Sequence, residues 1–214
     1  MLKVGLTGGI ASGKSVVGEM LQGLGAHVIQ ADQVAHQLMQ PGEAVYAEVV
    51  RHFGPAILNP DGSVNRSRLA EAAFSKGPEG RSRIEELNQI VHPAVLSKQE
   101  QWMEETGRHE PGAIAVVEAA LILEAGAAHQ FDRLIVVTCR AEQRVQRWAL
   151  RTRMDEALAR REVERRMAAQ LPDQEKSRVA DYVIDNSGTL QETEKQVKDL
   201  FPRLQSEARA AVRP

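Results

Sequence analysis

The stretch VGLTGGIASGKSVV, Val4 to Val17, decides how the rest of the chain is read. An apolar, β-branched run gives way at Thr7 to Gly8, Gly9 and Gly13, and the segment after Gly13 has the character of a helix start. Gly8, Gly13, Lys14 and Ser15 satisfy the pattern G-x-x-x-x-G-K-[ST] in the context that gives it meaning, directly after a predicted strand and opening a predicted helix. The glycines let the backbone turn tightly enough for successive N–H groups to converge, and the helix N-terminus adds its positive end. Such a concavity favours a polyphosphate. Lys14 then reaches the outer phosphates, and the Ser15 hydroxyl is a ligand for Mg²⁺ bridging them. A glycine-rich joint between strand and helix is the plain alternative, but it gives no reason for a lysine at this spacing.

Four further runs rich in β-branched residues extend the pattern outward from Leu2 to Leu6: Ala26 to Gln30, Ala113 to Val117, Arg133 to Val137 and Asp181 to Asp185. Amphipathic segments separate them, which predicts an α/β fold with a five-stranded parallel sheet covered on both faces in three layers. The interval from Ala31 to Gly112 reads as mostly helical. Pro41-Gly42 interrupts one helix there, NPDGS at Asn59 to Ser63 is a turn, and Pro93 marks a kink or a helix start. A second excursion, Arg140 to Gln170, is dense in arginine, and a last helix is expected to start near Thr189. The expectation is one domain, 1–214, with its core in 1–31, 112–139 and 171–214, a helical subdomain in about 32–111 and the arginine-rich excursion in about 140–170.

With 214 residues, 43% of them apolar and 26% charged, the chain can bury a substantial core. The net charge of -2 supplies no basic field for holding nucleic acid. Cys139 is the single cysteine, so no internal disulfide forms. No apolar run approaches the roughly 20 residues of a membrane span, and MLKVGL enters a strand pattern without a leader, so the expected compartment is the cytoplasm.

A phosphate loop serves GTPases, motor ATPases and small-molecule kinases alike. Asp32 lies just past the second strand, where parallel sheets line their ligand crevice. Its carboxylate there can take a proton from an attacking hydroxyl or help hold Mg²⁺, and it equally suits the N-cap of a helix beginning at Gln33. No N-K-x-D is visible, and no D-x-x-G follows the third strand, which argues against a GTPase. Arg147 and Arg151, four apart, share a helix face and are the favoured pair for neutralising a transferring phosphoryl group. Asp155, Glu156, Glu162 and Glu164 pair with other arginines of that segment as a solvated face. Trp102 and Trp148 read as packing residues, Cys139 as a small hydrophobe, and the histidines show no zinc spacing.

The chain resembles the dephospho-coenzyme A kinase family. Beyond GLTGGIASGKS, the matching pieces are ADQVAHQL, HFG at His52 to Gly54, DGSVNRSRLAEAAF at Asp61 to Phe74, LNQIVHPAV at Leu87 to Val95, ALILEAG at Ala120 to Gly126 and ADYVIDNSG at Ala180 to Gly188. The resemblance implies a P-loop, nucleoside-monophosphate-kinase-like fold with a core, a helical acceptor subdomain and an arginine-rich lid. It also implies transfer of the ATP γ-phosphate, with Mg²⁺, to the ribose 3′-hydroxyl of dephospho-CoA. Carried over, Ala11, Ser12, Gly13, Lys14, Ser15 and Val16 are the ATP-phosphate contacts beside Gly8 and Gly9, Asp32 is the acceptor-side base and Arg147 the lid arginine. His92, next to Pro93, is acceptor-domain structure first and substrate contact second. Asn186 lies near where the fold receives adenine, although a turn at DNSG accounts for it equally. Glu118, ending the third strand, either positions Mg²⁺ through water or completes a loop. Departures are Ala120 in place of a frequent proline, His36 in place of a frequent arginine, and a lid a few residues longer than usual. Another P-loop small-molecule or nucleotide kinase, or a module using ATP as a switch, remains an alternative on the residues alone.

Overall fold

The computed structural model describes residues 1–74 and 83–212. Five strands form one sheet: β1 (Leu2–Thr7), β2 (His27–Gln30), β3 (Ile114–Glu118), β4 (Arg133–Thr138) and β5 (Tyr182–Asp185). All are parallel, in the order β2-β3-β1-β4-β5, with Leu2 opposite Ile114 and Val4 opposite Arg133. Each of the five runs picked out by its β-branched content is a strand. Among the described residues the α-helices are α1 (Lys14–Gly23), α2 (Ala31–Leu38), α3 (Ala44–Phe53), α4 (Arg66–Phe74), α5 (Ile84–His109), α6 (Ala141–Thr152), α7 (Glu156–Ala168), α8 (Asp173–Val179) and α9 (Leu190–Ala210).

The chain divides into two compact units, Met1–Gln30 with Met103–Pro214, and Ala31–Trp102. In the first, period-2 alternation sorts each strand between two faces. Val4 and Leu6 of β1 join Ile135 and Val137 of β4 in a core with Val17 and Leu21 of α1 and Val197, Phe201 and Leu204 of α9. Leu134 and Val136, the intervening residues of β4, pack on the other face against Ile122 and Ala127. This three-layer arrangement is the one that near-continuous apolar strands require. Thr189 caps α9 in a reciprocal box with Glu192, so the expected start holds.

The second unit is helical. α3 buries Val45, Val49 and Phe53 at four-residue intervals and packs with α2 and α4. The turn expected at NPDGS forms, closed by Asn59 N–H donating to Ser63 O at 2.8 Å. Two boundaries are settled against one of the alternatives each. Of the kink or helix start expected at Pro93, the start is ruled out: α5 runs through it for 26 residues, with Val91 and Val95 buried on either side. Packing of those neighbours outweighs the one backbone bond a proline removes. And α2 begins at Ala31, directly after β2, so Asp32 lies in the first turn instead of capping a helix from Gln33. Part of the expected helical segment, 75–82, lies outside the described residues.

Candidate active site

The loop between Thr7 and Lys14 is the site's foundation. Gly13 stands at the N-cap of α1 with no side-chain cap and no acidic residue in the first turn, so the helix offers uncapped N–H groups and its positive end to a ligand. Only glycine fits there. Its φ is 97°, and a Cβ would lie 2.0 Å from Asn186 Nδ2. Ala11 takes a left-handed φ of 53° despite its side chain, a conformation that costs about 1 to 2 kcal/mol and is held by what surrounds the loop.

Carbonyls of the loop are bound from outside. Lys14 Nζ donates to Gly8 O at 2.9 Å and Gly9 O at 3.2 Å. Ser12 O accepts from Asn186 Nδ2 at 2.8 Å and Arg147 Nη1 at 3.2 Å. Because a peptide is planar and trans, each carbonyl held on one side aims the next N–H to the other. Fixing Ser12 O therefore directs the N–H of Gly13.

A cavity of about 420 Å³ opens over the loop, lined by Ala11, Ser12, Gly13, Lys14, Ser15 and Val16, by Arg147 and Arg151 of α6, and by Asn186, Gly188 and Leu190. The structure thus gathers most of the sequence-derived ATP residues around one hollow. Arg147 also donates to Asn186 O at 2.9 Å, and the Arg151 guanidinium lies 4.5 Å from the centre of the Trp148 ring. Trp148 is a packing residue, as expected of a large aromatic on a helix. Ile10, from the loop, is buried among Val145, Trp148, Ala159 and Val163, so the α6–α7 hairpin closes its core around a residue of the loop itself.

Ser15 Oγ donates to Glu118 Oε1 at 2.7 Å, which joins the first turn of α1 to the end of β3. Glu118 is buried, and Asn186 more so. The Asn186 amide engages protein at both ends, Nδ2 on Ser12 O and Oδ1 accepting from Thr193 Oγ1 at 2.9 Å, so it stands as a wall of the cavity whose side chain ties the loop to α9. Asp32, exposed in the first turn of α2, and His92, exposed on α5, belong to the unit Ala31–Trp102. Cys139 is partly buried with Sγ 3.8 Å from Ala11 O, and burial pushes its thiol pKa up against the nearby Arg144 and Arg147 charges.

Sequence reasoning missed Thr193 and Arg144, the latter fully buried. A signal for Arg144 existed: Arg140, Arg144, Arg147 and Arg151 recur at four, three and four residues, which places all of them along one helical face.

The model of the dephospho-CoA kinase family matches residues 2–192. A dephospho-CoA kinase of Syntrophotalea carbinolica is 42% identical over 211 residues, 95% of this chain and 92% of that one. Among solved structures, TT1252 from Thermus thermophilus superposes with a TM-score of 0.75 at 32% identity, over 95% of this chain and 97% of the other. The dephospho-CoA kinase from Campylobacter jejuni shares the fold, with a TM-score of 0.61 at 20% identity over 94% of this chain and 96% of the other. A match of this length and identity, on a chain whose phosphate loop, parallel sheet and arginine-bearing hairpin are all in place, leaves one conclusion: the chain belongs to the dephospho-CoA kinase family.

Proposed function

We propose that this kinase transfers the γ-phosphate of ATP to the ribose 3′-hydroxyl of dephospho-CoA, giving coenzyme A and ADP, and that it works in the cytoplasm. The observation that carries the reading is the cavity lined by Ala11 to Val16 of the loop and first turn together with Arg147 and Arg151 of α6. A concavity of uncapped amides and fixed cations suits a triphosphate and the charge that spreads over its end group during transfer. Little covalent chemistry is asked of the protein, so positioning and charge dominate.

Lys14 leaves the carbonyls of Gly8 and Gly9 to bridge the outer phosphates. Arg147 and Arg151 neutralise the end group from α6. Ser15 and Glu118 fit Mg²⁺, since a hydroxyl and a carboxylate 2.7 Å apart are two hard oxygen donors converging at the edge of the loop. A bound Mg²⁺ would be held from the Ser15 and Glu118 side and would supply charge neutralisation to the phosphoryl group being transferred. Asp32 takes the proton of the attacking 3′-hydroxyl, and His92 supports the acceptor side of the fold.

The test is ADP release followed with and without dephospho-CoA, with nucleoside monophosphates as competing acceptors. Turnover is expected with dephospho-CoA. Lys14→Ala is expected to cost on the order of 10²-fold or more in kcat, and Asp32→Asn about 10²- to 10⁴-fold. Near-normal turnover of Asp32→Asn removes that residue from the chemistry, and ADP release indifferent to the acceptor removes the reading as a whole.

A further inference from the structure

Gly9 and Ile10, in the middle of the phosphate loop, do not line the cavity, yet they too are held closely from the side away from it. Arg144, on α6, is 1% exposed. Its Nη1 donates to Ile10 O at 3.0 Å, and its Nη2 is hydrogen-bonded to the Asp173 carboxylate at the start of α8. Gln170 Oε1 accepts from the Ile10 N–H at 3.2 Å. A Cβ on Gly9 would lie 2.0 Å from Arg144 Nη1 and 3.2 Å from Asp173 Oδ1, so the loop backbone rests directly on this pair.

Burying a guanidinium is costly unless its hydrogen bonds are made, and a loop could be packed without one. Here the buried cation is directed by one carboxylate onto one loop carbonyl. The consequence lies in the next peptide: with Ile10 O held by Arg144, the planar bond turns the N–H of Ala11 the opposite way, and Ala11 lines the cavity. Ile10 N–H, by contrast, is occupied by Gln170 and unavailable to a ligand.

We propose that Arg144, oriented by Asp173, is a positioning residue for phosphoryl transfer: it clamps the phosphate loop from behind and pre-aims the Ala11 amide at the donor's phosphates. The inference rests on the reading of the loop as the ATP site. Neither side chain is among those that line the cavity. The clamp acts before the nucleotide arrives, by removing the reorganisation that a free loop would need on binding.

The test compares Arg144→Met, which keeps length and loses every donor, with Arg144→Lys, which keeps a donor for Ile10 O, and with Asp173→Asn, which keeps shape and removes the charge that orients the guanidinium. Initial rates are measured against ATP and against dephospho-CoA separately, with thermal midpoints recorded in parallel. For Arg144→Met the KM for ATP is expected to rise about tenfold or more and kcat to fall by a similar factor, the scale of weakening a preorganised donor. The KM for dephospho-CoA is expected to stay within about twofold, since the clamp acts on the donor loop alone. Arg144→Lys should recover a substantial part of the loss, and Asp173→Asn should show the same split to a smaller degree. Two results overturn the proposal: no change in the KM for ATP, or a loss shared equally by both substrates, tracking the thermal midpoint, with Arg144→Lys no better than Arg144→Met. Should Arg144→Met fail to fold, Asp173→Asn decides by the same split. A wild-type enzyme that fails to bind ATP overturns the phosphate-loop reading itself, a result distinct from normal ATP binding by both wild type and variants.

Discussion

Asn186 shows how one buried side chain ties a loop to a distant helix. Its amide is 5% exposed, with one end on Ser12 O and the other on the Thr193 hydroxyl. Asn186→Ala leaves Ser12 O with Arg147 and the Thr193 hydroxyl with Thr189 O as remaining partners, at about 0.5 to 1.5 kcal/mol for each hydrogen bond lost. Urea unfolding should report that loss, and ATP affinity should fall with it because the Gly13 amide is aimed by one partner fewer. The KM for dephospho-CoA should hold. Residues of this kind escape a reading of sequence for a physical reason. Gly8, Gly13, Lys14 and Ser15 are legible because their chemistry depends on neighbours a few positions away, so spacing alone carries it. Asn186 and Arg144 act on partners 174 and 134 residues distant, and no local pattern encodes such a meeting. Asp32 was legible as a carboxylate at a strand end. Its place in a first turn, instead of at a cap, depended on β2 running into α2 without a connector.

At the level of elements, the α6–α7 hairpin departs from the picture of a lid that merely swings over an open site. Its core is closed by Ile10, a loop residue, and its flank carries Arg147 and Arg151 into the cavity. Placement of the arginines is therefore coupled to the state of the loop. Ile10→Ala removes a buried branched side chain at a cost of about 2 to 5 kcal/mol. Amide hydrogen exchange should show the loss locally, with α6 and α7 deprotected while β1 and β4 keep their protection. Equal deprotection of the sheet would show the hairpin to be an integral part of the global core. Strands were legible element by element because short β-branched runs between helical segments have few other solutions. The choice at Pro93 between a helix that continues and one that starts there was not, since the packing of Val91 and Val95 that sustains the helix is a property of the folded state.

At the scale of the molecule, α9 is the last helix of the chain and yet supplies much of one face of the central core, with Val197, Leu200, Phe201 and Leu204 against β1 and β4 residues. Leu204→Ala, at a fully buried position, is expected to cost about 2 to 5 kcal/mol. The midpoint of urea unfolding should move down at constant slope, which is the mark of lost stability without a changed denatured state. Fold class and the existence of a helical insertion could be read from the succession of patterns, but the order β2-β3-β1-β4-β5 could not. Which strands become neighbours is decided by how helices pack between them, over sequence gaps that periodicity does not span. That order also has a consequence for biosynthesis. β1 leaves the ribosome ahead of both strands that flank it, β3 and β4, which are made more than a hundred residues later. At translation speeds of about 5 to 20 residues per second, the first strand waits roughly 5 to 20 seconds without an edge to pair with. The glycine-rich turn that it carries is therefore synthesised well before the strands that frame it, and a nascent chain halted before β3 should be blind to nucleotide.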